Sequence, residues 1–169
     1  MSELITTLGV APALAIDDWE LIDDPATELA DAVGKVVVPL VWALEHADEL
    51  RARGDFGLWL KPDDVVETAA PLLDAVGIVA VQYLKFTDGR GNSIAWLLRS
   101  RLGYAGDLRA FGDVRRDQLF NLRRCGFSSF RLADGQDGEA ALASFKAFSG
   151  AYQSSADGRV PAWAQGTGA

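Results

Sequence analysis

Nine consecutive residues, 76–84, read Val-Gly-Ile-Val-Ala-Val-Gln-Tyr-Leu and carry no charge. Strict alternation of apolar and polar residues marks a strand with one wet face, whereas a near-continuous apolar run marks a strand buried on both faces. Segment 76–84 therefore predicts a central strand of a parallel sheet. Shorter runs of the same kind recur at 36–40, 56–60, 107–111 and 127–132. Helical periodicity fills the gaps. It covers 41–53, ending before Gly54, and 93–102, with Ile94, Leu97, Leu98 and Leu102 on one side. A helix is also expected after Lys61-Pro62-Asp63-Asp64, where Glu67 follows Asp64 by three residues as in a capping box. Asp113 is read as the cap of a helix over 114–125 that closes at Gly126, and the last helix is expected over 137–150.

The pattern amounts to about five βα units within residues 35–150. An α/β fold with a mostly parallel sheet and right-handed crossovers follows. A complete eight-fold barrel takes roughly 200 residues or more, so the expected form is a three-layer sandwich, with a partial βα barrel as the alternative. Residues 1–34 are expected to form an acidic segment packed on the 35–150 domain. The Gly/Ala/Ser-rich stretch 151–169 is expected to be a mobile tail.

Several function classes are excluded by what the chain lacks. It has one cysteine, Cys125, and one histidine, His46. It can form no internal disulfide, and it offers neither a two-histidine metal site nor a thiolate set for zinc or an iron–sulfur cluster. No metal site is assigned. No cofactor is assigned either, although a flavin, whose binding needs no fixed residue set, stays open. The longest uncharged run, 4–16, is shorter than the ~18–20 residues of a membrane span. The first residues, Met1-Ser2-Glu3, lack the basic start of a secretory signal. A cytoplasmic protein is expected, with no membrane contact.

Charge is unevenly distributed. Residues 1–84 hold 16 acidic and 4 basic residues, and residues 85–169 hold 8 and 12. An overall formal charge of −8 argues against a nucleic-acid partner. The basic half could serve an anion or an acidic partner, or simply form a solvated face.

Two motifs lie at strand ends, where α/β folds place their ligands. The first is Lys85-Phe86-Thr87-Asp88-Gly89-Arg90-Gly91-Asn92-Ser93, which opens a helix. It matches neither the dinucleotide nor the Walker A fingerprint. It suits a turn at Asp88-Gly89 with a cap at Asn92 or Ser93, or a site for an oxyanion or acidic partner. The second is Gly112-Asp113-Val114-Arg115-Arg116-Asp117-Gln118-Leu119. Consecutive parallel strands usually lie side by side, so Lys85, Asp88, Arg90, Asp113, Arg116 and Asp117 are expected to converge on one polar patch, either as a functional site or as a salt-bridge network. Trp96 and Phe120 fall outside the apolar stripes of their helices, among arginines. They are read as contacts for a partner, a second copy of the chain, or another layer of the fold.

These motifs carry a resemblance. Phe86-Thr87-Asp88-Gly89-Arg90-Gly91, Leu97-Leu98-Arg99, Arg109-Ala110-Phe111-Gly112-Asp113-Val114, Arg116-Asp117-Gln118-Leu119 and Arg124-Cys125-Gly126-Phe127 resemble the bacterial domain-of-unknown-function family 934, over roughly residues 35–150. Leu84 departs from the proline usual in that family. Its members are commonly labelled as sulfite-reduction proteins, because their genes lie beside those for sirohaem sulfite or nitrite reductase and phosphoadenylyl-sulfate reductase. The resemblance implies a role in assimilatory sulfate reduction. Without the ligands for sirohaem or an iron–sulfur cluster, the chain is expected to be an accessory protein binding a sulfite or nitrite reductase. The alternative is a small-molecule enzyme with its site at the strand ends, using Lys85, Asp88 and Asp113 for positioning or proton transfer.

Overall fold

A computed structural model describes residues 3–9, 11–146 and 154–156. Among the described residues eight strands form one sheet: β1 (Glu3–Thr6), β2 (Ala13–Ile16), β3 (Trp19–Leu21), β4 (Lys35–Pro39), β5 (Phe56–Leu60), β6 (Ile78–Tyr83), β7 (Asp107–Gly112) and β8 (Ser129–Phe130). Their spatial order is β2-β1-β8-β7-β6-β5-β4-β3. From β3 to β8 each strand pairs in parallel with the next in sequence, while β1 runs antiparallel to both β8 and β2. The uncharged run becomes β6, parallel to β5 and β7 and buried at every position but Gln82.

The order dictates the shape. Laid flat, eight strands at ~4.8 Å spacing would hold the two edge strands roughly 34 Å apart. The edges are β2 and β3, yet Ile16 and Trp19 are joined only through Asp17 and Asp18, a link that reaches ~11 Å at most. The sheet must therefore roll until its edges approach, and it does so as a half-barrel.

Consecutive parallel strands with right-handed crossovers also place every crossover on the same face. The outward side chains Val36, Val38, Leu58, Leu60, Val79, Val81, Leu108 and Ala110 share one core with Leu50, Leu72, Leu98 and Leu122 from the crossovers. The alternate residues Val37, Trp59, Ile78, Ala80 and Phe111 form a smaller inner cluster, against which Trp19 and Leu21 pack. The expected three-layer sandwich needs an order that reverses so that helices cover both faces. The parallel order here never reverses, and the arrangement is that of the partial barrel. Nor do the first 34 residues merely pack on the domain, since β1, β2 and β3 are three of the sheet's eight strands.

The crossovers depart from expectation in detail. The segment 41–53 is two helices, α2 (Leu40–Glu45) and α3 (Ala47–Arg53), which follow α1 (Pro25–Glu28). They divide at His46, whose Nδ1 lies 3.0 Å from Trp42 O and whose ring stacks on Trp42 at 3.9 Å. After β5 the chain forms a 3₁₀ helix, Val66–Leu72, with Pro71 inside it. Asp64 does not cap this helix, because its carboxylate accepts from Lys61 N at 2.7 Å. Helix α4 (Arg90–Ser100) begins earlier than expected. Helix α5 is only Leu119–Cys125, preceded by a 3₁₀ turn, Arg116–Gln118. The last crossover is α6 (Gly138–Leu142), capped by Asp137 through Ala140 N (3.1 Å) and followed by a 3₁₀ turn, Ala143–Lys146. The rest of the helix expected to 150 lies outside the described residues, as does most of the expected tail. Within that tail, Ser155 Oγ donates to Arg124 O at 2.6 Å.

The roll is locked from inside. Arg109 on β7 points to the inner face, where Nη1 donates to Asp17 Oδ1 (2.5 Å) and Nε to Ser129 Oγ (3.1 Å). Asp17 Oδ1 also accepts from Trp19 N (3.1 Å). The two-residue link between the sheet edges is thus pinned to the strand at the sheet's middle by an ion pair whose side chains are 5% and 1% exposed.

Candidate functional site

At the carboxyl ends of β6 and β7 the two sequence motifs meet. Strand register sets Tyr83 opposite Gly112. Gly112 has φ of +97°, and a Cβ there would stand 2.3 Å from Tyr83 O, so only glycine lets the loops approach this closely. Asp113 N then donates to Tyr83 O at 2.8 Å.

Beyond that contact, the second loop grips the first through its backbone. Asp113 Oδ2 accepts from Phe86 N (3.0 Å), and Gln118 Nε2 donates to Phe86 O (2.7 Å). Gln118 is itself held, its Oε1 accepting from Arg115 N at 2.8 Å. The Arg115 guanidinium donates to Asp113 Oδ1 (3.0 Å) and lies over the Phe86 ring at 4.3 Å. Phe86 is thereby fixed at both backbone polar atoms while its side chain stays in the open, 42% exposed beside exposed Leu84.

Arg90 organises a second cluster. Its Nη2 donates to Asp88 Oδ2 (2.6 Å), its Nε to Asp88 Oδ1 (2.9 Å), and its Nη1 pairs with Asp63 from the loop after β5. Hydrogen bonds from the Arg90 side chain and backbone hold the Asp88 carboxyl below its ordinary value. The Arg115 side chain and then Phe86 N do the same for Asp113. The paired aspartates raise Arg90. A carboxylate held below its ordinary value is a weaker proton acceptor than a free one. The arrangement is suited to presenting a fixed surface more than to moving protons.

The expected convergence is therefore met in the backbone and divided in the charges. Asp88 and Arg90 form one cluster and Asp113 another, and no ion pair among the described residues joins them. Lys85, Arg116 and Asp117 are exposed on the same loops, and Arg116 N approaches Gln136 Oε1 at 3.4 Å. Asp113 is not the helix cap expected of it, because its carboxylate serves Phe86 and Arg115. Asn92 likewise accepts from Tyr83 Oη (2.6 Å). Gly91 lies against Tyr83, whose ring a Cβ would meet at 2.5 Å, so internal packing alone accounts for that glycine. Trp96 stands 45% exposed on α4. Phe120, by contrast, is buried within the chain, on a helix that packs against the 3₁₀ turn 143–146. It offers a partner almost no surface.

Four contributors were not singled out from the sequence: Asp63, Phe86, Arg115 and Gln118. Gln118, three residues after Arg115 and ahead of an apolar run, carried a weak capping-box signal. Asp63 was read as part of a helix start, and the side-by-side placement of β5 and β6 brings it to Arg90.

The model for a bacterial protein of unknown function, DUF934, matches residues 57–163. The chain belongs to the DUF934 family. The match spans β5 to β8 and so includes both loops of the DUF934 site. No curated protein matches the chain. No helix among the described residues is long and apolar enough to cross a membrane.

Proposed function

We propose that this DUF934 protein is an accessory protein of assimilatory sulfite reduction that docks on a sirohaem sulfite or nitrite reductase through the carboxyl-end face of β6 and β7. The observation carrying the docking face is Phe86, an aromatic side chain held in the open by bonds to both its backbone N and O. Pre-ordered aromatic and arginine side chains are the usual anchors of protein interfaces, because little conformational freedom remains to be lost on binding. Arg115 over the ring and the Arg90–Asp88–Asp63 cluster supply a polar rim. The choice of partner follows from the family resemblance. It agrees with a chain whose one cysteine and one histidine suit it poorly to carry the redox centre itself.

Affinity purification of the tagged chain from its native cell, with mass spectrometry of retained proteins, tests the reading. The reductase is expected to be enriched with the wild-type chain and reduced at least about tenfold with Phe86→Ser. Equal recovery by both, or a partner outside sulfur metabolism, contradicts it.

A further inference from the structure

Beside the Asp17–Asp18 link opens a cleft of about 1270 Å³. Its walls are the link with Trp19 and Glu20, the end of β7 at Phe111, Gly112 and Asp113, and segment 131–134 after β8. Ligands of α/β folds bind outside the carboxyl ends of parallel strands, and the space is ample for a small molecule. The geometry points to a binding site here for a small organic cation, with an ammonium or amidinium head on a flat apolar body. The cleft shares Gly112 and Asp113 with the docking face, but the inference rests on other side chains, Asp17, Trp19, Glu20 and Asp134, and either can fail alone.

The first support is an unmet acceptor. Asp17 lines the cleft and is 95% buried, being 5% exposed. Its Oδ1 is used by Arg109 and Trp19 N, but Oδ2 has no hydrogen-bond partner among the described residues. A buried carboxylate oxygen in that state selects for an N–H or O–H donor.

The second support is the sign of the walls. Five carboxylates, Asp17, Asp18, Glu20, Asp113 and Asp134, line the cleft against two bases, Lys35 and Arg131. Lys35 is taken by Asp18 at 2.7 Å, Asp17 by Arg109 and Asp113 by Arg115, which leaves Glu20 and Asp134 facing the one remaining base, Arg131. Glu20 and Asp134 make no ion pair among the described residues. Such a lining favours a cation and disfavours sulfite, sulfate or phosphate.

The third support is apolar. Phe111 and Trp19 both face the cleft. Lys35 Nζ lies 5.4 Å from the Trp19 ring centroid, so one aromatic wall already accepts an ammonium group.

The test is an NMR titration of the full chain, mapping backbone and indole shifts, with benzamidine, benzoate and sodium sulfite as probes. Benzamidine is expected to shift the Trp19 indole and the Gly112 amide saturably, whereas benzoate, alike in size and opposite in charge, and sulfite leave them in place. The Glu20→Gln/Asp134→Asn double variant changes two exposed side chains with no bonds among the described residues. It is expected to keep a folded spectrum and weaken benzamidine about fivefold. Unchanged affinity in that variant overturns the proposal, as does benzoate or sulfite binding at the same residues. Absence of any benzamidine shift at Trp19 and Gly112 up to about 20 mM also overturns it, leaving water as the partner of Asp17.

Discussion

Two arginine–aspartate arrangements in this DUF934 protein are alike in chemistry and opposite in setting. Arg109 and Asp17 meet inside the rolled sheet with side chains 5% and 1% exposed, whereas Arg90 meets Asp88 and Asp63 at the surface, with the Arg90 side chain 51% exposed. Removing one partner of the inner pair strands a charge on a side chain that is almost wholly buried. Removing one partner of the outer pair exposes the other to solvent, which replaces most of the interaction. The contrast separates a residue that holds the fold from residues that shape a face, and it assigns the inner pair to closure of the half-barrel and the outer pairs to display of the loops.

The largest expected effect is at the inner pair. Arg109→Ala leaves Asp17 buried and uncompensated and should cost about 3–5 kcal/mol of stability in urea denaturation. Replacing both partners together, Asp17→Leu with Arg109→Met, should cost clearly less than Arg109→Ala alone. If the double variant is the less stable one, the pair is not the lock described. Next comes Gly112→Ala, which puts a Cβ at positive φ and against Tyr83 O. A loss of about 2–3 kcal/mol is expected, with amide shifts at Phe86 and Asp113 as the loops part. A neutral result would mean that the loops do not meet through this glycine.

The smallest effect is electrostatic and concerns the outer pairs. Asp88 and Asp113 titrate below the ordinary value of 3.8 in the folded chain. Their contribution is fully present above that value and is lost as pH falls through their lower folded values. Wild-type stability should therefore drop more steeply below about pH 4 than that of Asp88→Asn/Asp113→Asn, and the difference should shrink in high salt. Parallel acid limbs in the two proteins would show that these pairs contribute nothing measurable.

Much of this was legible in the residues, for identifiable reasons. The run 76–84 announced a strand buried on both faces, and alternation of strands with helical segments announced the parallel sheet. Side-by-side placement of consecutive strands brought the two motif loops together as expected. The roll was legible only as the alternative of a partial barrel, because β1, β2 and β3 are three or four residues long and lie in an acidic segment, where short strands give little periodicity. The Asp17–Arg109 bond joins residues 92 apart, and no local pattern encodes such a pairing. Asp113 looked like a helix cap because it precedes a helical stretch, but the same carboxylate was needed across the loops by Phe86 N. Phe120 falls outside the apolar stripe of α5, which left a partner, a second copy and another layer of the fold open; it is buried within the chain, on a helix that packs against the 143–146 turn, and local phase does not show which layer covers it.

The central claim is that the carboxyl-end face is for binding and the inner pair for folding. The most direct measurement is calorimetric titration of purified sirohaem sulfite reductase with wild-type chain and with Phe86→Ser, each with its thermal melt. The account predicts saturable binding by the wild type, at least about tenfold weaker binding by Phe86→Ser, and melting temperatures within about 2 °C of one another. Undiminished binding by Phe86→Ser, or weakened binding that only tracks a lowered melting temperature, would contradict it.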